Sequence, residues 1–368
     1  MPRIDEYVSA GIYDPAWEIA PGRLRILEWL SDQGFTIEQL VEAHDEDGLS
    51  RLASDRYLRG KVIDHDEALR LVGVDEQTWH RLWIAAGLGP TTSVSTSAAE
   101  LFSVFASARE MFTPDAALHF LRVIGSSLSR IAEAANTLFL VDVEAPMVAQ
   151  PHEPLELAQE MLRAVMLLDQ LDKPMAQLLR LHLQAAILRS RDSRVNETES
   201  MSAPMAMGFV DLVGFTPLSR DVNPRELMRL VLDFEGRAYD IVAEHGGRVV
   251  KFIGDEVMFT TVDPIASATI VLEMFASIRE RADVTPRGGL AYGYVLPHGG
   301  DYYGATVNLA SRVADIAVPW EILVTAEFAA LLGGKFAVTP AGRRMLKGFD
   351  DPIELHSLSM AEAAPACL

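Results

Sequence analysis

The stretch Arg248-Val-Val-Lys-Phe-Ile-Gly-Asp-Glu-Val-Met-Phe-Thr-Thr261 reads as two strands, Arg248–Phe252 and Val257–Thr261, flanking a tight turn at Gly254-Asp255. β-Branched and aromatic residues fill both arms, and glycine with aspartate is turn chemistry. Working outward, Asn223–His245 is helical and ends at Gly246-Gly247, and Ala206-Met-Gly-Phe-Val210 before it is a short strand. On the other side Ile265–Arg281 is helical, and Arg287–Val295 is a strand ending near Pro297. The order β-α-β-β-α-β predicts a ferredoxin-like arrangement, an antiparallel sheet backed by helices.

The first half of the chain has a different grammar. From Pro21 to about Ser190 the apolar residues recur at helix spacing. Arg23–Leu30 is one such segment, closed by Gly34, and Thr36 caps the next with Glu38-Gln39 in its first turn. Val74–Trp83 repeats the short-helix style. Ala98–Met111, Asp115–Leu138 and Pro154–Arg189 read as longer amphipathic helices, with Pro146, Pro151 and Pro154 marking a bend between the last two. Arg191–Ala206 turns polar and reads as a linker. The fold class is thus α+β: an all-α domain over 1–190, a linker or switch segment over 191–206, and a sheet-bearing domain over 207–368.

Composition narrows the function. The 368 residues support two sizeable cores, with 49% apolar and 23% charged residues. The charge is −20, from 32 Lys+Arg against 52 Asp+Glu, a field that repels nucleic-acid backbones. Short helices with tight turns are also how helix-turn-helix proteins look. Here the first helices are rich in Asp and Glu and offer few base-reading cations, so a helical packing or dimerisation module is the default. The single cysteine, Cys367, cannot form an intrachain disulfide, which fits a reducing, cytoplasmic setting. No apolar run spans a bilayer: Leu138–Val148 is broken by Asp142 and Glu144, and Leu82–Ala99 is rich in Ser, Thr, Gly and Pro. The N-terminus lacks the order of a secretory signal. No membrane or nucleic-acid partner is expected.

Two aspartates stand out. Asp211 follows the first strand at a strand-to-helix turn, and Asp255 sits in the hairpin turn. The βαββ order lets both carboxylates meet at one sheet edge, and a carboxylate pair without histidine suits Mg²⁺ or Mn²⁺. The amides of Val213, Gly214 and Phe215, at the expected helix start, suit a phosphate. Alone, Asp211 reads equally as a helix cap and Asp255 as a turn residue. A third cluster changes the balance. In Asp301-Tyr-Tyr-Gly-Ala-Thr-Val-Asn-Leu-Ala-Ser-Arg312, Asn308 and Arg312 are four apart and share one helical face. An amide and a guanidinium there suit a ribose hydroxyl and a phosphoryl group, although a solvated helix face is the ordinary fate of such a pair.

Together, Phe209-Val-Asp-Leu-Val-Gly-Phe-Thr216, Lys251-Phe-Ile-Gly-Asp-Glu-Val-Met258 and Asp301–Arg312 resemble the class III nucleotidyl cyclases, over roughly 206–358. Diguanylate cyclases carry a similar hairpin, but Ile253 stands where that group has its first glycine. The resemblance implies a complete adenylyl cyclase site. It makes Asp211, Leu212 and Asp255 the metal set for two Mg²⁺ or Mn²⁺ ions, and Val213, Gly214, Phe215 and Thr216 substrate-binding. Lys251 and Asp301 become the adenine-reading pair; guanylyl cyclases usually place glutamate and cysteine or serine there. Asn308 orients the ribose and Arg312 stabilises the transition state. Lys347, in Arg343-Arg-Met-Leu-Lys-Gly-Phe, holds the terminal phosphates, with Arg343 or Arg344 as the alternative cation.

In this family the two halves of a site come from two catalytic domains, so one domain per chain implies a homodimer with ATP as substrate. The helical half is similar in layout to regulatory domains of actinobacterial cyclases and would act through the 191–206 segment. A small-molecule or pH signal is open there; His119, His152 and His182 permit a pH response without indicating one. A guanylyl cyclase, a degenerate nucleotide-binding copy and a transcription factor are the rival readings. Lys251 and Asp301 oppose the first, the intact set of site residues the second, and the net charge the third.

Overall fold

The computed structural model describes residues 2–45, 48–89, 94–107, 111–149, 153–193, 202–215, 222–279 and 284–361. The chain divides into two compact units, Met1–Leu181 and His182–Leu368. Among the described residues no helix is long and apolar enough to cross a membrane.

The first unit is helical: α1 (Pro2–Ser9), α2 (Ala20–Asp32), α3 (Ile37–Asp45), α4 (Leu52–Arg59), α5 (His65–Val72), α6 (Glu76–Ala85), α7 (Thr96–Ser107), α8 (Pro114–Phe139), α9 (Ala145–Val148), α10 (Pro154–Asp169) and α11 (Asp172–Ser193), the last running past the division. A two-residue ladder joins β1 (Val62–Ile63) to β2 (Val94–Ser95). The local signals act as expected. Gly34 takes φ +85 after α2. Thr36 and Gln39 cap α3 reciprocally, Thr36 N donating to Gln39 Oε1 at 3.0 Å and Gln39 N to Thr36 Oγ1 at 3.3 Å. Two readings change. The span expected as one helix from Pro154 to Arg189 is two, because Pro174, in the first turn of α11, cannot sit inside a continuous helix. Of the three prolines expected to mark a bend, Pro146 falls in the first turn of α9 after a π-helical turn, Leu140–Glu144, Pro154 opens α10, and Pro151 lies outside the described residues.

The second unit begins with β3 (Ala203–Val213), so 203–206, assigned above to the linker, already belongs to the sheet; 194–201 lies outside the described residues. There follow α12 (Pro224–Glu244), β4 (Arg248–Ile253), β5 (Glu256–Thr261), α13 (Pro264–Ile278), β6 (Thr285–His298), β7 (Asp301–Tyr303), α14 (Ala305–Ile316), β8 (Ile322–Thr325), α15 (Ala326–Ala330), β9 (Phe336–Arg344) and β10 (Ile353–Met360). The sheet order β4-β5-β3-β6 is the ferredoxin-like one, with antiparallel neighbours throughout. β8, β10 and β9 extend it beyond β6, β8 running parallel to β6. β7 pairs back on the end of β6.

Both faces of the sheet are covered. On one, Val210, Phe259 and Leu290 pack against Phe234 and Ala238 of α12 and Val271 and Phe275 of α13. On the other, Met207, Phe209 and Ala291 pack against Ala310 and Ala314 of α14. Gly289 permits that second layer: a Cβ there would lie 2.2 Å from the Ala314 nitrogen and 2.6 Å from the Ala310 oxygen. A side chain at 289 would push α14, and with it Asn308 and Arg312, off the sheet.

Candidate active site

Asp211 is not at a strand-to-helix turn. It lies within β3, in register with Glu256 on β5 and Arg287 on β6. Its side chain is largely shielded; its Oδ2 accepts from Arg287 Nε at 2.7 Å and lies 2.6 Å from Nη2 in the same ion pair. Asp255 is in the β4–β5 turn, as expected, where Gly254 adopts φ +66. The two carboxylates act on each other: burial first, and then the charge of Asp211, push the Asp255 carboxyl above its ordinary range. Glu256 is driven further, up to about 7, by burial and by Asp211 and Asp315. Asp211 pairs in register with Glu256, the neighbour of Asp255, so both aspartates lie at the same end of the central strands.

Mutual repulsion and an all-oxygen donor set are what a hard divalent cation relieves, so these two residues fit one. Among the described residues no three His, Cys, Asp or Glu side chains converge as a ready-made cage. Mg²⁺ sites built from one or two carboxylates and substrate phosphates need none. The Leu212 side chain is buried in the core, so only its main-chain carbonyl is available to an ion. Val213 ends β3, Gly214 turns the chain with φ +94, and Phe215 is helical, so the expected helix start falls at Phe215; Thr216 lies outside the described residues.

The second cluster is built on β4, β7 and α14. Lys251 Nζ donates to Asp301 Oδ2 at 2.5 Å, bringing together two residues fifty positions apart. Asp301 Oδ1 accepts from the Tyr302 amide at 2.8 Å, which fixes the carboxylate. Beside them Arg248 donates to the Gly300 carbonyl and lies over the Tyr302 ring, 5.6 Å from its centroid. Asn308 is exposed on α14, and Arg312 one turn later is held by Asp315 at 2.7 Å. Lys347 is exposed in the turn after β9; its neighbour Leu346 is buried with Val313 of α14, which anchors that turn to the helix. Arg343 and Arg344 are exposed at the end of β9.

Three residues escaped the sequence reading: Arg287, Glu256 and Asp315. Glu256 stands inside a quoted motif. Arg287 is marked only by its register with Asp211, which no local pattern displays.

The geometry places Asp211 and Asp255 at one end of the central strands and a Lys251–Asp301 pair before the helix bearing Asn308 and Arg312. The adenylate and guanylate cyclase catalytic domain family matches residues 198–360. The chain belongs to this family and is a nucleotidyl cyclase. An adenylate cyclase of Streptomyces coelicolor is 32% identical over 271 residues, 72% of this chain and 70% of its own length. An uncharacterised Mycobacterium tuberculosis protein is 31% identical over 370 residues, 98% of this chain and 96% of its own. The crystal structure of the adenylyl cyclase CyaB from P. aeruginosa covers 45% of this chain and 97% of that one, at 24% identity and a TM-score of 0.41.

Proposed function

We propose that the chain is an adenylyl cyclase, converting ATP to 3′,5′-cyclic AMP and pyrophosphate at sites shared by the subunits of a homodimer. The observation that carries the base choice is the Lys251–Asp301 pair, 2.5 Å apart. Adenine offers an acceptor at ring N1 beside a donor amine. An ammonium and a carboxylate side by side match that edge, whereas guanine presents the reverse pattern. The named Streptomyces coelicolor relative supports the same substrate.

In this reading Asn308 orients the ribose, so that the 3′-oxygen faces the α-phosphorus. The 3′-oxygen loses its proton and bonds to that phosphorus while the bond to the pyrophosphate oxygen breaks. Arg312 meets the charge that grows at the phosphoryl oxygens only as this happens, and Lys347 holds the terminal phosphates. Asp211 and Asp255, with the Leu212 carbonyl, hold the divalent ions. When bound, two Mg²⁺ or Mn²⁺ ions supply the acidity of the 3′-hydroxyl and neutralise the leaving triphosphate end. The sheet-bearing unit that opens with β3 at Ala203 is the catalytic domain, and one such domain per chain makes a symmetric dimer with two equivalent sites the economical assembly. Residues 1–190 modulate it through the 191–206 segment. A cytoplasmic setting, where ATP is plentiful, belongs to the same reading.

The test is direct. The purified full-length chain, given Mn²⁺ with ATP or with GTP, should release cyclic AMP in clear excess over cyclic GMP. A preference for GTP overturns the base assignment, and neither product overturns the activity.

A further inference from the structure

We propose that Arg248 is a positioning residue for base selection: it pins the tip of the β6–β7 hairpin, so that Asp301 stays in place when the base takes Lys251 away from it. The proposal rests on the reading of Lys251 and Asp301 as the adenine-reading pair. The tip has little stiffness of its own. His298 and Asp301 are the last pair of the hairpin, and Gly299 and Gly300 between them take φ 60 and 83. Two glycines suit such a primed turn, and they also give the backbone more freedom than other residues would. Asp301 therefore follows directly on the softest point of the hairpin.

Arg248 reaches this tip from β4. Its guanidinium donates to the carbonyl of Gly300, the residue before Asp301, and lies over the ring of Tyr302, the residue after it. Tyr302 is buried with Met205, Met258 and Ala310 and is the fixed side of the clamp. Strict alternation would set Arg248 and Lys251, three positions apart, on opposite faces of β4. A bulge removes the conflict. Arg248 pairs with Thr260, Val249 with Phe259 and Lys251 with Met258, so Val250 is the extra residue in the ladder. Val249 and Phe252 pack into the cluster of α12 and α13, whereas Val250 joins the cluster of Tyr302. The bulge thus brings Arg248 and Lys251 to one side of the strand, both against β7.

The need for a second tie follows from what the base does. In the free protein Lys251 Nζ lies 2.5 Å from Asp301 Oδ2 and holds the carboxylate. A base that accepts a hydrogen bond from Lys251 and donates one to Asp301 replaces that ion pair. The hairpin then loses this tie, while the contacts of Arg248 with Gly300 and Tyr302 stay in place. Without Arg248 the bound base itself must order Asp301, which lowers affinity for adenine. Such a contact is made in the ground state and the transition state alike, so its loss appears in KM more than in kcat. A merely structural role would lower the kinetics with ATP and with GTP together.

The experiment measures kcat and KM of the full-length protein with ATP and with GTP, in Mn²⁺. Arg248→Met, which keeps an apolar stem and removes the guanidinium, should lower the ATP-over-GTP ratio of kcat/KM about fivefold or more, chiefly through a higher KM for ATP. An unchanged ratio, or a loss equal for both nucleotides, overturns the proposal. Should Arg248→Met not fold, Arg248→Lys reaches toward the same carbonyl without the flat group over Tyr302; it should lower the ratio about twofold or more, and an unchanged ratio overturns the proposal. Asp301→Ala separates the two readings. If it leaves the ratio unchanged, the base assignment falls and this proposal with it. If it lowers the ratio while the Arg248 variants match wild type, this proposal alone falls. Because Arg248 acts through Asp301, the double variant should show the ratio of Asp301→Ala within about twofold, and a further additive fall overturns the proposal.

Discussion

Lys251 and Asp301 hold each other across the β4–β7 gap, Nζ to Oδ2 at 2.5 Å, with side chains 39% and 25% exposed. Each of the two groups proposed to read adenine is thus occupied by the other before substrate arrives. A base entering between them exchanges one charge-assisted hydrogen bond for two, so the net gain per contact is modest and mismatch is penalised chiefly through unpaired groups. Lys251→Glu with Asp301→Cys should therefore lower the ATP-over-GTP ratio of kcat/KM by about 1–3 kcal/mol per lost contact. Paired kinetics with the two nucleotides measure this, and an unchanged ratio removes both residues from base reading.

The same pair should matter little to the fold. Half-exposed ion pairs contribute about 0–1 kcal/mol, so Lys251→Met should leave the denaturation midpoint nearly in place. Chemical denaturation followed by circular dichroism checks it. A large loss of stability would mean that selectivity changes at this position report unfolding rather than recognition.

Much of this was legible beforehand, and the reason is local. The Gly254 turn, the Thr36 cap and the spacing of Asn308 and Arg312 are written in a few adjacent residues each. What was hidden depends on register and on distant partners. Asp211 looked like the entry to a strand-to-helix turn because Gly214 follows it closely, yet pairing with β5 holds Asp211 in the strand and pairing with β6 carries it on to Val213. The strands β8, β9 and β10 escaped because the ferredoxin-like pattern was already complete at β6. Arg287 escaped for the same reason as the Asp211 register: antiparallel partners seventy-six positions apart leave no periodic trace.

Metal dependence follows from the carboxylate pair. Asp211→Ala and Asp255→Ala should each abolish cyclic AMP synthesis, and a chelator should do the same to the wild type, reversed by Mg²⁺ or Mn²⁺. Substantial product from either variant would sink the assignment of these residues as ligands.

The helical unit should be more than ballast in the proposed assembly, because α11 runs on to Ser193 and the first catalytic strand opens soon after it at Ala203. Deleting residues 1–190 should change specific activity several-fold at matched dimer fraction. Sedimentation sets the dimer fraction, and equal activity of both proteins would reduce the helical unit to an assembly device.

The shared site has the sharpest test. If Asp211 serves one site from one chain and Arg312 serves it from the other, Asp211→Ala and Arg312→Ala homodimers should both be nearly inactive. Mixing the two proteins forms heterodimers in which one site carries both lesions and the other carries none. Random exchange puts about half of all dimers in this class, so activity should recover to roughly a quarter of wild type. Asp211→Ala mixed with Asp255→Ala is the control, because both lesions fall on the same side of every site and no intact site can form. The contacts from Asp211 through Arg287 to Asp315 and Arg312 add a constraint, since they join two half-sites within one chain. An Asp211→Ala lesion leaves Arg287 without its carboxylate in the same chain whose Arg312 serves the intact site. The rescued heterodimer should therefore fall below a quarter if those contacts transmit the loss, and reach it if they do not. A mixture that stays dead, although mass spectrometry shows heterodimers, would place Asp211 and Arg312 in one chain's site and end the homodimer reading.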